Sequence, residues 1–255
     1  MEDNKLKESK LFTPYKLGNV TLRNRTIRSA AFESMGDKFG PTQQLKDYHV
    51  SVAKGGIGMT TLAYAAVCRS GLSFDKQLWL RPEIVPGLKD ITDAVHEAGA
   101  AASIQIGHCG NMTHYSTAGQ IPIGPSTGIN MYAYTPVRRM RKSEIAEVAK
   151  DFGSAIHTAH EAGFDCVEVH AGHGYLISQF LSPWTNRRRD EFGGSLDNRM
   201  RFMRMCMDEV MEAAAKTGTS ILVKHNMEDG FKSGIQIPES IEIAKGIESY
   251  GVDGI

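Results

Sequence analysis

Apolar positions along this chain recur in two alternating rhythms. Ile84, Leu88, Ile91 and Val95 sit at helical spacing, and so do Ile145, Val148, Phe152, Ile156 and Ala159. A third set, Leu196, Met200, Met203, Met207, Val210 and Met211, follows Ser195, which stands as an N-cap just after the Gly193-Gly194 turn. The methionines of that set are read as core packing. Between the helices lie short apolar runs rich in small and β-branched residues. They predict strands over Thr26–Phe32, Gly58–Ala65, Ala101–Gly107, Asp165–His170 and Ser220–Asn226, with a sixth beginning at Val252.

The phrases "AKGGIGMTTLA", "HEAGAAASIQI", "HEAGFDCVEV" and "ESYGVDGI" share one layout: a helix end, a capping glycine (Gly56, Gly99, Gly163, Gly251), then a strand. The first two glycines are about 43 residues apart and the last two about 88, close to twice that. The doubled gap holds the helix after Ser195 and the strand from Ser220. Strands alternating with helices imply an α/β fold with a parallel sheet, because parallel neighbours need crossover helices. No strand is followed by a G-x-G-x-x-G turn or a P-loop, so a (β/α)8 TIM barrel is favoured over an open nucleotide-binding sheet. Only about the first five and a fraction β/α units are counted, and completing eight would take roughly 80 to 100 further residues. Residues 1–255 are therefore read as an incomplete TIM-barrel domain, strands six to eight largely missing.

Composition narrows the function classes. Basic and acidic residues number 29 each, for a formal net charge of +0, which argues against nucleic acid or an anionic membrane as the main partner. Even the arginine cluster Arg187–Arg189 is followed by Asp190 and Glu191. The four cysteines show no Cys-x-x-Cys pair, unlike a disulfide framework or zinc ribbon. The charged start, "MEDNKLKESK", is unlike a signal peptide, and no apolar run reaches membrane-span length. A cytoplasmic protein is expected.

Barrel enzymes collect their chemistry at the carboxyl ends of the strands. Those ends carry Ala30, Phe32 and Glu33 after the first strand, Gln105 and His108 on the third, His170 with His173 and Tyr175 on the fourth, and Lys224 with His225 on the fifth. Strands covered on both faces should be nearly all apolar, so Gln105, His170 and Lys224 need a reason. Taken singly, a glutamine can satisfy loop backbone, a histidine can be structural and a lysine can reach solvent. Together at one mouth they mark a functional site. His108, Cys109, His170 and His173 are also legal zinc ligands, with Glu33 and Glu168 as the acidic residues near them.

The segment "HAGHGYLISQFLSP" followed by "DEFGGSLDNR", with "NRTIRSAAFES" and "SIQIGHCG" upstream, resembles the Old Yellow Enzyme family of FMN-dependent NAD(P)H:flavin oxidoreductases, in its 2,4-dienoyl-CoA reductase-like branch. The resemblance runs from about Leu11 to Ile255. It implies a (β/α)8 barrel holding FMN at its carboxyl end and using NADH or NADPH as reductant. It also implies that Ala30 and Tyr64 face the flavin through backbone groups and that Gln105 bonds its pyrimidine edge. Lys224 stands where most relatives have the arginine beside flavin N1 and O2. His170 and His173 would hold the carbonyl oxygen of an unsaturated carbonyl or enoyl substrate, Tyr175 would be the proton donor, and Phe32 would touch substrate. Phe32 replaces a cysteine or threonine of several relatives, and Asn111 an arginine of many. The family's FMN phosphate site lies on loops after strands seven and eight.

The leading expectation is an FMN-dependent ene-reductase with no metal. Two alternatives are a non-catalytic truncated fragment that no longer binds flavin and a metal-dependent TIM-barrel hydrolase.

Overall fold

Five parallel strands form one curled sheet, each entering from a helix or turn on its outer side. The computed structural model describes residues 9–130 and 134–255; positions 1–8 of the charged start lie outside the described residues. The sheet comprises β3 (Ile27–Arg28), β4 (Met59–Ala66), β6 (Ala101–Gly107), β10 (Cys166–Ala171) and β11 (Ser220–His225), in the order β11-β10-β6-β4-β3, with the short β5 (Leu78–Trp79) also paired to β4. A parallel bridge from Leu222 to Gly254 begins the next unit, where the sixth strand was anticipated. The strands and their order are those of about five and a fraction units of a (β/α)8 barrel; four lie within one residue of their predicted bounds, whereas the first, expected over Thr26–Phe32, pairs only at Ile27–Arg28.

The outer layer contains α1 (Gln43–Lys54), α2 (Val85–Glu97), α4 (Lys142–Glu161), α6 (Leu196–Thr217) and α7 (Ile237–Glu248), with the shorter α3 (Tyr115–Ala118) and α5 (Leu176–Leu181) in loops. Ser195 caps α6 as predicted, accepting from the Asn198 N–H at 3.3 Å. All four predicted capping glycines have positive φ. The predicted methionine stripe is core: Met200, Met203 and Met207 are buried. Alternate residues of β4, β6, β10 and β11 feed this layer, among them Leu62, Ile104, Val167, Val169 and Val223.

The other residues point into the barrel. At its amino end, Leu17, Leu22, Met59 and Cys166 form a separate apolar cluster. This plug is delivered by the antiparallel hairpin β1 (Tyr15–Leu17) and β2 (Val20–Leu22), which the sequence reading passed over. Its signal was present: the two-residue Gly18-Asn19 turn, with Gly18 at φ +55, is a short hairpin type. Also unanticipated was an excursion after β6, where β7 (Ile123–Gly124), β8 (Gly128–Asn130) and β9 (Thr135–Arg139) form a small sheet of their own. The amino end is thus closed by side chains and the carboxyl end is left open.

Candidate active site

Strand alternation sets which side chains reach the carboxyl-end mouth. In β10, Cys166, Glu168 and His170 face inward; in β6, Ser103, Gln105 and Gly107 do; in β11, Lys224 does. Register then places Gln105 opposite Glu168, and His170 opposite Lys224. His225, one residue past Lys224, turns to the helix layer and bonds Ser240 Oγ at 2.9 Å.

Tyr64 reaches the mouth only because β4 is irregular. Strict alternation would send its ring to the helix side with Leu62. The pairing with β6 shifts between Leu62 and Ala65, so one extra residue is inserted and Tyr64 swings inward. Its hydroxyl donates to Gly71 O at 3.0 Å, and its ring packs edge-on against Tyr175 and His170, with centroids 5.0 and 6.0 Å apart. Burial holds the Tyr64 hydroxyl well above its ordinary pKa, so it stays a neutral donor. Gly107 makes this cluster possible. A Cβ there would come within 2.6 Å of the Tyr64 ring and 3.2 Å of His170 Cβ.

His170 and His173 converge. Their nearest ring nitrogens, His170 Nε2 and His173 Nδ1, are 3.3 Å apart, and the Tyr175 ring lies 5.1 Å from that of His170. His170 is buried, and its Nδ1 has no hydrogen-bond partner among the described residues. Burial first, then the neighbouring His173 and Lys224, hold its pKa down to about 3. The imidazole is therefore neutral at pH 7 and acts as an N–H donor or acceptor, not as a standing cation.

These residues line a cavity of ≈ 430 Å³ with Ala30, Ala31, Phe32, Tyr64 and Gln105. That volume is in the range of small-molecule and cofactor sites. Seven of the eight predicted site residues share it: Ala30, Phe32, Tyr64, Gln105, His170, His173 and Tyr175. Lys224 does not line it. Its ammonium lies one strand over, bonded to Ser29 Oγ at 2.8 Å and paired with Glu168 Oε1 at 3.1 Å.

That glutamate, named above only as an acidic residue near the candidate zinc ligands, links Lys224 to Gln105. Gln105 Nε2 donates to the same Glu168 Oε1 at 2.6 Å, which orients the amide and leaves its carbonyl oxygen as the available acceptor. Two further supports were missed. Buried Gln179 donates to Cys109 O, Gly174 O and Asn111 Oδ1, tying the loop after β6 to the loop of Tyr175. Asn226 fixes the backbone of His173. No pattern in the sequence marked them, because each acts across loops distant in the chain.

The alternative zinc set is dispersed. His108 is buried, accepts from the Gly110 N–H through Nδ1 at 2.9 Å and meets Ser70 Oγ through Nε2 at 3.1 Å. Cys109 Sγ donates to Leu72 O at 3.2 Å. Glu33 is taken up by Arg28 and by the Ala63 N–H, which anchors the Ala30–Gly36 loop onto β4. Among the described residues no three metal-ligating side chains converge.

A sequence model of the NADH:flavin oxidoreductase / NADH oxidase family matches residues 10–254. The chain belongs to that family. The chain is 37% identical over 241 residues to a 4,4'-dithiodibutanoate disulfide reductase of Rhodococcus erythropolis, a match covering 94% of the chain and 60% of that protein. It is 39% identical over 250 residues to an NADPH dehydrogenase of Listeria welshimeri, covering 96% of the chain and 72% of the dehydrogenase. Among solved structures, the Old Yellow Enzyme homologue of Zymomonas mobilis superposes with a TM-score of 0.86 at 26% identity, over 96% of the chain and 72% of that structure. The family's barrel and the expected resemblance are thereby established. No helix among the described residues is long and apolar enough to cross a membrane.

Proposed function

We propose that this protein is an FMN-dependent NAD(P)H oxidoreductase that reduces the C=C bond of an α,β-unsaturated carbonyl or enoyl compound. One observation carries the proposal: His170, His173 and Tyr175 meet in a cavity whose other wall is the Ala30–Gly36 loop with Tyr64 and Gln105. The residues fit a flavin. The wall offers small side chains at Ala30 and Ala31 and an oriented amide at Gln105, and Lys224 puts a cation beside Ser29 at the foot of the same loop. A heterocycle with a polar pyrimidine edge needs such a donor and acceptor set.

FMN, when bound, supplies the hydride for the β carbon after its own reduction by NADH or NADPH. The chain's own residues do the rest. His170 and His173, 3.3 Å apart, hold the substrate carbonyl oxygen between their imidazoles and stabilise the charge that builds there. Tyr175, beside His170, holds the proton destined for the α carbon. Tyr64 and Gln179 keep the rings and the loop in place. Residues 1–255 serve as the first part of the flavin barrel, and four free cysteines support a reducing, cytoplasmic setting.

The test is direct. The purified protein should show the absorbance of bound flavin, lose it anaerobically with NADPH or NADH, and regain it on adding cyclohexenone. A colourless folded protein, or a reduced flavin indifferent to the enone, would overturn the proposal.

A further inference from the structure

The first strand of the barrel stops short, and two side chains take over its pairing. β3 meets β4 only at Ile27–Met59 and Arg28–Thr60, and β5 takes up the same edge of β4 at Ala65. Residues 61–64 of β4 have no strand on that edge, where bare backbone groups would cost free energy. The side chains of Arg28 and Glu33 supply the partners. Arg28 Nη1 donates to Thr61 O at 2.6 Å, and Glu33 Oε2 accepts the Ala63 N–H at 3.1 Å. The two close on each other, with Arg28 Nη1 at 2.5 Å from Glu33 Oε1.

This exchange has a geometric consequence for the cavity. Freed from the sheet after Arg28, the chain turns over the mouth and residues 30–36 line the cavity. The turn passes through a strained point, Ser34 at φ 53. Its neighbour Glu33 is bonded to the stretch of β4 whose irregular pairing brings Tyr64 inward. The Arg28 and Glu33 side chains are only 15% and 6% exposed, unlike a surface ion pair. They are braced from α1. The Tyr48 hydroxyl accepts from Arg28 Nη2 at 3.2 Å, and buried His49 lies between Thr60 Oγ1 at 2.8 Å and Glu33 Oε1 at 3.1 Å. One carboxylate therefore fixes two walls of the cavity, the loop it belongs to and the segment that carries Tyr64.

We propose that Arg28 and Glu33 are positioning residues for the flavin site: the pair replaces the missing end of β3 and sets where residues 30–36 stand relative to Tyr64. The role rests on the flavin-dependent function proposed above and adds the device that holds the wall. Neither side chain touches the reacting atoms. A displaced wall acts through the backbone at Ala30 and Ala31, so the first quantity to suffer is the fit of the cofactor.

The test uses the full-length protein and begins with the absorbance of bound flavin. Amide hydrogen exchange at Ala63, read at single-residue resolution, reports on the pairing. Titration of FMN into the flavin-stripped protein reports on the wall. Glu33→Ala should speed exchange at Ala63 about tenfold and weaken FMN about tenfold, the worth of one hydrogen bond. Glu33→Gln keeps an oxygen for the Ala63 N–H and should stay close to the unaltered protein in both. The double variant Arg28→Met/Glu33→Leu strands no charge, so its melting temperature should fall less than that of Glu33→Ala while FMN weakens as much; it also serves where Glu33→Ala fails to fold. An unaltered protein without flavin overturns the function proposed above and this role with it. With flavin bound, two results overturn the positioning role alone. One is an Ala63 amide that exchanges in the unaltered protein as fast as an open loop amide. The other is an FMN affinity that is unmoved by the substitutions or merely follows the melting temperature across them.

Discussion

The side-chain oxygen of Asn226 accepts the backbone N–H of His173 at 3.0 Å, joining the end of β11 to the loop after β10. His173 sits at φ 55, in the left-handed region that non-glycine residues seldom occupy. The bond from a neighbouring strand thus holds a strained residue where its ring meets that of His170. Precision at this pair is therefore a property of two β/α units together.

Removing either imidazole leaves one donor for the substrate oxygen. His170→Ala or His173→Ala should lower the alkene half-reaction on the order of 10²-fold. Reduction of the flavin by NAD(P)H involves no such oxygen and should fall much less. Stopped-flow kinetics separates the two, and equal losses in both would remove the histidines from that role.

Tyr175→Phe keeps the ring that packs on Tyr64 and His170 but removes the hydroxyl. Alkene reduction should slow sharply while substrate affinity and flavin reduction stay near those of the unaltered protein. A variant slow only in flavin reduction would show that Tyr175 is not the proton donor.

Lys224 is held by Ser29 and Glu168 beside the proposed flavin wall. A cation there favours the anionic reduced cofactor, so Lys224→Met should lower the flavin reduction potential. Because Glu168 offsets that charge, Glu168→Gln should raise it. Potentials from dye-equilibrated titration decide the matter; two unchanged values would place the pair outside the cofactor's field.

Acid should destabilise the fold. His170 and His108 are both held to about 3 by burial, against an ordinary value near 6.5. Between those limits the unfolded chain binds protons that the folded one refuses, so stability is full above about pH 6.5 and is lost as pH falls toward about 3. Thermal melts across that window should show Tm dropping, less steeply in His170→Asn. A flat profile would mean that neither site is dry.

Arg188 anchors the loop that follows the site. Its guanidinium is buried, pairs in two-pronged fashion with Asp190 at 3.0 and 2.8 Å, and donates to Pro125 O and Met140 O. The pairing holds the Asp190 carboxyl at about 2. Arg188→Ala should cost about 1–3 kcal/mol, since it leaves two buried carbonyls without their donor while Arg139 still pairs with Asp190 at 2.6 Å. Urea denaturation measures this, and a loss under about 1 kcal/mol would make the arginine a surface residue in energetic terms.

Much of this protein was decided within the sequence. Hydrophobic period separated strands from helices, and capping residues such as Ser195 and Gly163 fixed where elements begin and end, because those preferences act over a few residues. The inward position of Gln105 opposite Glu168, and of His170 opposite Lys224, followed once strands of the right phase were laid parallel. Tertiary structure decided what depends on contacts between distant segments. The irregularity in β4 that brings Tyr64 inward is a feature of its pairing with β6, invisible in the strand alone. The closure of the barrel floor by Leu17 and Leu22, the shared oxygen of Glu168, and the bond from the Ala63 N–H to Glu33 likewise arise only when separate units are packed together. A residue's type sets what bonds it can make; only the fold sets which of them are already made.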